Sequence, residues 1–179
     1  DEDKISVVYN VVPSAPAAAK GGGEGPLKII YAGAISRIQR PEILLQAYAR
    51  LAQEDAQIQE YLAVEIYGPP SRHFRWSVKK HLVQGTFFGG FLPRQELDEH
   101  LAEAAIGFLS LGDATYAYAT PTKLFDYIEM GLPILAVLPP GAARQLIEEL
   151  QVGLVVSLGD VDGLAQAMAR LTKDGELRA

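Results

Sequence analysis

From Leu27 onward the chain repeats one unit: a short, almost wholly apolar run, then a stretch whose apolar residues recur with helical period. The apolar runs are LKIIYAG (27–33), LAVEIYG (62–68), TFFGGF (86–91), AIGFLSL (105–111), PILAVL (133–138) and GLVVSL (153–158). Between and after them, helices are predicted over 41–52, 71–81, 93–104, 121–130, 142–150 and 162–172. In the first of these, Ile43, Leu44, Ala47, Tyr48 and Leu51 share one stripe. A strand that is apolar on both sides must be covered on both sides. The alternation therefore predicts an α/β fold: a parallel sheet of about six strands between two helical layers.

In such sheets ligands bind in the crevice beyond the carboxyl ends of the strands. Function is therefore expected in the loops after Gly33, Gly68, Phe91, Leu111 and Leu138. Ahead of the repeating unit, ISVVYNVV (5–12) reads as a strand and PSAPAAAKGGGEGP (13–26) as a flexible loop. This predicts an interdomain strand and Gly/Ala-rich loop over 1–26 and one domain over 27–179. A start at Asp1, inside what reads as a strand, suggests a fragment of a longer protein.

The totals remove several classes of function. The 179 residues are 49% hydrophobic, yet no apolar run approaches the ~20 residues of a membrane-spanning helix. A net charge of −6 argues against a nucleic-acid partner, so any anionic ligand must be met by a local cluster. Without cysteine there is no disulfide, thiolate metal site or cysteine nucleophile, and a cytoplasmic location is expected. His73, His81 and His100 show no ligand spacing and read as surface residues, so no metal is expected. Neither GxGxxG, a Gly-Lys-Ser/Thr phosphate loop nor GxSxG is present, which takes most of the weight from dehydrogenase, nucleoside triphosphatase and α/β-hydrolase readings. A receiver domain would need acids after the first strand, where Gly33-Ala34-Ile35-Ser36 supplies none.

Three segments carry candidate chemistry. In TPTKLFDY (120–127), Thr120 is predicted as N-cap and Pro121 as the first helical residue. Unsatisfied N–H groups near Thr122 and Lys123 then favour an anion such as phosphate. Asp126 lies on the same helical face, about 5.4 Å further along, where it could accept from a ribose diol. The same residues also fit a capped helix with a surface ion pair worth about 0.3–0.5 kcal/mol. In AGAISRIQRP (32–41), Gly33 marks a close backbone approach. Arg37 and Arg40 either neutralise a diphosphate by bidentate bonds or stand in a solvated loop. In the third segment, Gly90 and Phe91 either approach a planar base or relieve packing at a strand end.

Taken together, these residues resemble the C-terminal, donor-binding half of group-1, family-four-like retaining glycosyltransferases of GT-B architecture. The resemblance covers about residues 27–175, with YNVV (9–12) similar to the segment that leads into that half. It rests on three stretches. IIYAGAISRIQR has Arg40 in the place of the usual lysine and Ala34 where an arginine commonly follows the glycine. LAVEIYG and TFFGGFLPRQELDEHLAEA resemble the next two landmarks. TPTKLFDYIEMGLPILA resembles the signature region.

The resemblance implies a Rossmann-like three-layer sandwich, one half of a GT-B fold, that binds a nucleoside-diphosphate sugar. Gly33, Arg37, Arg40, Thr122 and Lys123 would hold the diphosphate and Asp126 the ribose. Gly90 and Phe91 would lie by the base. The first acid of the signature falls at Tyr118, with Asp113 too far upstream to be taken for it. The implied reaction transfers a hexose to an acceptor hydroxyl with retention and needs no cofactor. Catalytic and acceptor residues would come from an N-terminal half, a partner that would also carry any peripheral membrane association. A non-catalytic binding or scaffolding domain is the alternative.

Overall fold

The computed structural model describes residues 25–71 and 74–178. The strand expected over 5–12, nearly all of the loop expected to follow it, and His73 lie outside the described residues.

The elements run β1 (Leu27–Ala32), α1 (Glu42–Glu54), β2 (Leu62–Tyr67), α2 (Arg75–Lys79), β3 (Thr86–Gly90), α3 (Arg94–Glu103) and β4 (Ile106–Ser110). They continue with α4 (Thr122–Glu129), β5 (Ile134–Val137), α5 (Ala142–Leu150), β6 (Gly153–Val156), α6 (Val161–Lys173) and α7 (Gly175–Arg178). All six strands are parallel, in the order β3-β2-β1-β4-β5-β6. This is the Rossmann-like, three-layer α/β sheet that the alternation predicts. The helix expected over 71–81 is described only as the five residues of α2, and α7 had no counterpart in the sequence reading.

Alternation along each strand sends residues to opposite cores. Ile29 and Tyr31 join Leu44, Tyr48, Leu164 and Met168 under α1 and α6. Ile30 and Ala32 join Leu101, Leu124, Tyr127 and Ile147 under α3, α4 and α5. Full burial of each large apolar side chain contributes roughly 1.5–3 kcal/mol, so both helical layers are held by the same strands. The start of α6 is fixed locally: the Asp160 side chain accepts the Gly163 N–H at 2.8 Å.

The strand order reverses direction between β1 and β4. These strands pair only at Ile29↔Ile106 and Ile30↔Gly107. In a continued register the Ala32 N–H would reach the Phe108 carbonyl. The Tyr127 hydroxyl of α4 stands between them instead, accepting from Ala32 N at 3.1 Å and donating to Phe108 O at 3.1 Å. Gly107 makes room for the ring, since a Cβ there would lie 2.5 Å from Tyr127 Cγ. A side chain from the helical layer thus opens the sheet at its switch point, where such folds place their ligands.

Candidate functional site

Beyond this opening lies a cleft of about 390 Å³ between the loop after β1, the start of α3 and the start of α4. Gly33, Thr122, Lys123 and Asp126 all line it, so four of the residues singled out in the sequence come together.

Gly33 holds a φ of +149°, and a Cβ on it would sit 2.7 Å from Lys123 Nζ and 2.9 Å from Lys123 Cε. A side chain there would push the end of Lys123 aside, and the φ itself favours glycine. Gly68, directly after β2, is more tightly constrained, because its Cβ would lie 1.8 Å from the Gly33 carbonyl oxygen. The glycines that close these two strands are therefore in backbone contact.

Lys123 is only 9% exposed. Its ammonium end lies 4.0 Å from the centroid of the Tyr31 ring and donates to Tyr31 Oη at 2.9 Å. The Tyr31 hydroxyl in turn donates to the Ala34 carbonyl at 2.5 Å. Burial pushes the lysine's pKa from its ordinary 10.5 down to about 7, and the field of Asp126 opposes that shift only in part. Burial, followed by Tyr127 and Glu42, drives the Tyr31 hydroxyl far upward, so it stays protonated.

The helix start differs by one residue from the sequence expectation. Pro121, not Thr120, is the cap: it is extended, with φ −61° and ψ 138°, and its carbonyl accepts the Leu124 N–H at 3.0 Å. Proline's fixed φ suits either position, and ψ decides between them. No side chain caps the helix, and Pro121, Thr122 and Lys123 all face the cleft. One turn on, Asp126 lies 3.4 Å from Arg94 Nη1, while Arg94 Nε holds Asp98 at 2.7 Å.

Arg37 and Arg40 are not among the residues lining this cleft. Arg40 takes a left-handed φ of 42°, pairs with the buried Glu42 at 3.1 Å, and borders a second cleft of about 120 Å³ with Ser110, Gly112 and Leu158. Its predecessor Gln39 lines the first cleft instead. Arg37 packs its carbonyl toward Gly112, and its charge adds to the Thr115 hydrogen bonds that hold the Asp113 carboxyl low.

Gly90 has φ +72° with open space around it, Phe91 is 71% exposed, and neither lines the cleft. Gly89 is the glycine that relieves packing there, against the Tyr67 ring. Tyr118 is 78% exposed beside Ala117, whose carbonyl accepts from the start of α5.

His81 and His100 are half-buried. The first bonds Gln46 at 3.1 Å, and the second stacks on Tyr67 at 4.5 Å. Among the described residues no group of His, Asp and Glu is arranged to hold a metal, and no helix is long and apolar enough to cross a membrane.

Four site residues escaped the sequence reading. Gln39 was hidden by the charge of its neighbour. Arg94 is the first residue of α3, directly after Pro93 and the loop leaving β3, where its position alone could have marked it. Tyr31 and Tyr127 were absorbed into apolar stripes.

The parallel sheet, with this cleft at its switch point, defines a Rossmann-like domain. Residues 26–174 match the sequence profile of the group 1 glycosyl transferases, and the chain belongs to that family. Among solved structures it is similar to the lipopolysaccharide outer core galactosyltransferase WaaB in its apo form. That match has a TM-score of 0.72 and 18% identity, covering 99% of this chain and 49% of that one. It is also similar to a UDP-forming α,α-trehalose-phosphate synthase from Burkholderia xenovorans in complex with glucose-6-phosphate, with TM-score 0.68, 17% identity, and 86% and 37% coverage. A third is TarM of S. aureus in a complex containing UDP, with TM-score 0.72, 12% identity, and 94% and 32% coverage. The chain thus spans at most half the length of these proteins. No sequence match was found among curated proteins.

Proposed function

We propose that this chain is the donor-binding domain of a retaining glycosyltransferase and that the Gly33–Lys123–Asp126 cleft receives a nucleoside-diphosphate sugar. The observation that carries this reading is the convergence, at one sheet opening, of an uncapped helix start, a buried lysine and a carboxylate one turn along. The diphosphate lies at Gly33, Thr122 and Lys123, with Gln39 beside it, and the ribose diol bonds Asp126. Arg40 borders the neighbouring cleft, Arg37 lines neither, and both act on the donor only at longer range. Gly90 and Phe91 lie toward the base.

Charge develops on the leaving diphosphate in the transition state, so a helix dipole and a lysine placed there favour that state over the ground state. No metal is needed in this scheme. The UDP named in two of the similar structures supports a uridine donor as the first to try. The sugar is a hexose, the acceptor binds mainly to a second, N-terminal half of the same protein, and the work is cytoplasmic or at the membrane surface. This domain alone turns over nothing measurable.

A non-catalytic nucleotide-binding or scaffolding role is the second reading, favoured by exposed Tyr118 in the place of the first signature acid. Titration of the chain with uridine and guanosine diphosphates tests the proposal. Saturable binding that Asp126→Ala weakens on the order of tenfold, the loss of one charge-assisted bond, is expected. No binding of either nucleotide at millimolar concentration would sink it.

A further inference from the structure

Lys123 is a buried amine on the wall of a cleft, and none of the ion pairs among the described residues includes it. The titratable and charged groups around it are Tyr31 from β1, Asp126 and Tyr127 from its own helix, and Arg94 from α3. Asp126 is drawn toward Arg94, and Arg94 is also held by Asp98. Tyr31 gives its proton to the Ala34 carbonyl, so it can only accept from the amine. With the cleft empty, the surroundings offer an ammonium one hydroxyl and one ring face in exchange for its hydration.

We propose that the cleft binds its anion together with a proton: the Lys123 amine, largely uncharged over Tyr31 at mildly alkaline pH while the cleft is empty, becomes an ammonium as a phosphate group enters. A neutral amine presents a lone pair, which repels an anion. Protonation replaces that lone pair with a third N–H donor, and the anion supplies the counter-charge that Asp126, drawn toward Arg94, provides only in part. The proton comes from solvent, no covalent bond to the ligand forms, and at mildly alkaline pH the site gains close to one positive charge for each ligand bound. Burial, which brings the amine's pKa to about 7, puts the exchange in the physiological range. The inference rests on the donor reading for its choice of ligand, not for its proton count.

The test is calorimetric titration of the chain with UDP-glucose, whose esterified diphosphate neither gives nor takes a proton near neutrality. Observed heats in buffers of different ionisation enthalpy yield the number of protons taken up. Uptake approaching one proton is expected at about pH 8 and little at about pH 6, since the free amine is neutral only above its own pKa. Affinity should weaken up to about tenfold per pH unit above about pH 7. Lys123→Arg, which stays charged throughout, should bind with no uptake and a flat profile. Binding without uptake at the higher pH, or equal uptake in Lys123→Arg, overturns this inference and leaves the donor reading standing. Absence of binding to either UDP-glucose or inorganic pyrophosphate overturns both.

Discussion

Gly33 and Lys123 are 90 positions apart in the chain, yet a single added carbon on Gly33 would stand 2.7 Å from the lysine's Nζ. The strand end and the helix that build the cleft are therefore fitted to one another through one contact. Gly33→Ala should lower stability by about 1–3 kcal/mol, from the strained φ and the displaced lysine together. Denaturant unfolding of the two single variants and of Gly33→Ala/Lys123→Ala checks this. The double variant should lose less than the sum, and strict additivity would show that the two residues do not press on each other.

Tyr127→Phe isolates the wedge at the switch point. The ring is kept, but the buried Ala32 N–H and Phe108 carbonyl lose the hydroxyl between them. A cost of about 1–3 kcal/mol is expected, read from the urea midpoint at unchanged m-value. A change below about 0.5 kcal/mol would mean that the strands close and pair directly.

Lys123 also gives a pH dependence with a defined sign. Its folded pKa, about 7, lies below its ordinary 10.5, so between those values the unfolded chain binds the extra proton and stability rises with pH. The penalty for burying the charge is complete below about pH 7 and is relieved above it, with a slope of up to about 1.4 kcal/mol per pH unit. Stability of the wild type minus that of Lys123→Met, measured between about pH 6 and 9.5, should climb with pH. A flat difference would place the amine in contact with water.

Gln39 and Arg40 provide a test that separates the structure from the charge pattern. If the first cleft takes the diphosphate, Gln39→Ala should weaken UDP binding several-fold, about the contribution of one hydrogen bond. Arg40→Ala should leave the Kd within about twofold, as expected of an exposed, distant charge. The reverse ranking would move the ligand to the second cleft.

The architecture was legible because covered strands and covering helices impose different periods on the same chain, and both survive as apolar spacing. Helix α5 falls at the residues the pattern gives, 142–150. The site was legible where backbone chemistry leaves a mark in one residue type, as at Gly33 or at the proline before α4. It was illegible where a single turn decides direction. Arg40 adopts the left-handed conformation and swings away, which puts the uncharged Gln39 in the cleft, and nothing in the order Gln-Arg announces this. The Tyr31 and Tyr127 hydroxyls were hidden for another reason. The bonds from Lys123 to Tyr31 and from Ala32 to Tyr127 join residues more than ninety positions apart, and such contacts leave no periodic trace.

The loop after β1 is fastened on both sides. The Ser110 hydroxyl bonds the Gln39 carbonyl, the Gly112 N–H bonds Ile38 O at 2.6 Å, and Ile35 exchanges backbone bonds with Pro69 and Ser71 at 3.1 and 2.9 Å. The crossings that leave three neighbouring strands thus form one stiff wall. A ligand arriving there meets a preorganised surface and forfeits little entropy in ordering it. Whatever selectivity the cleft has for the far end of its ligand must be set by the opposite bank, where Arg94 stands on α3.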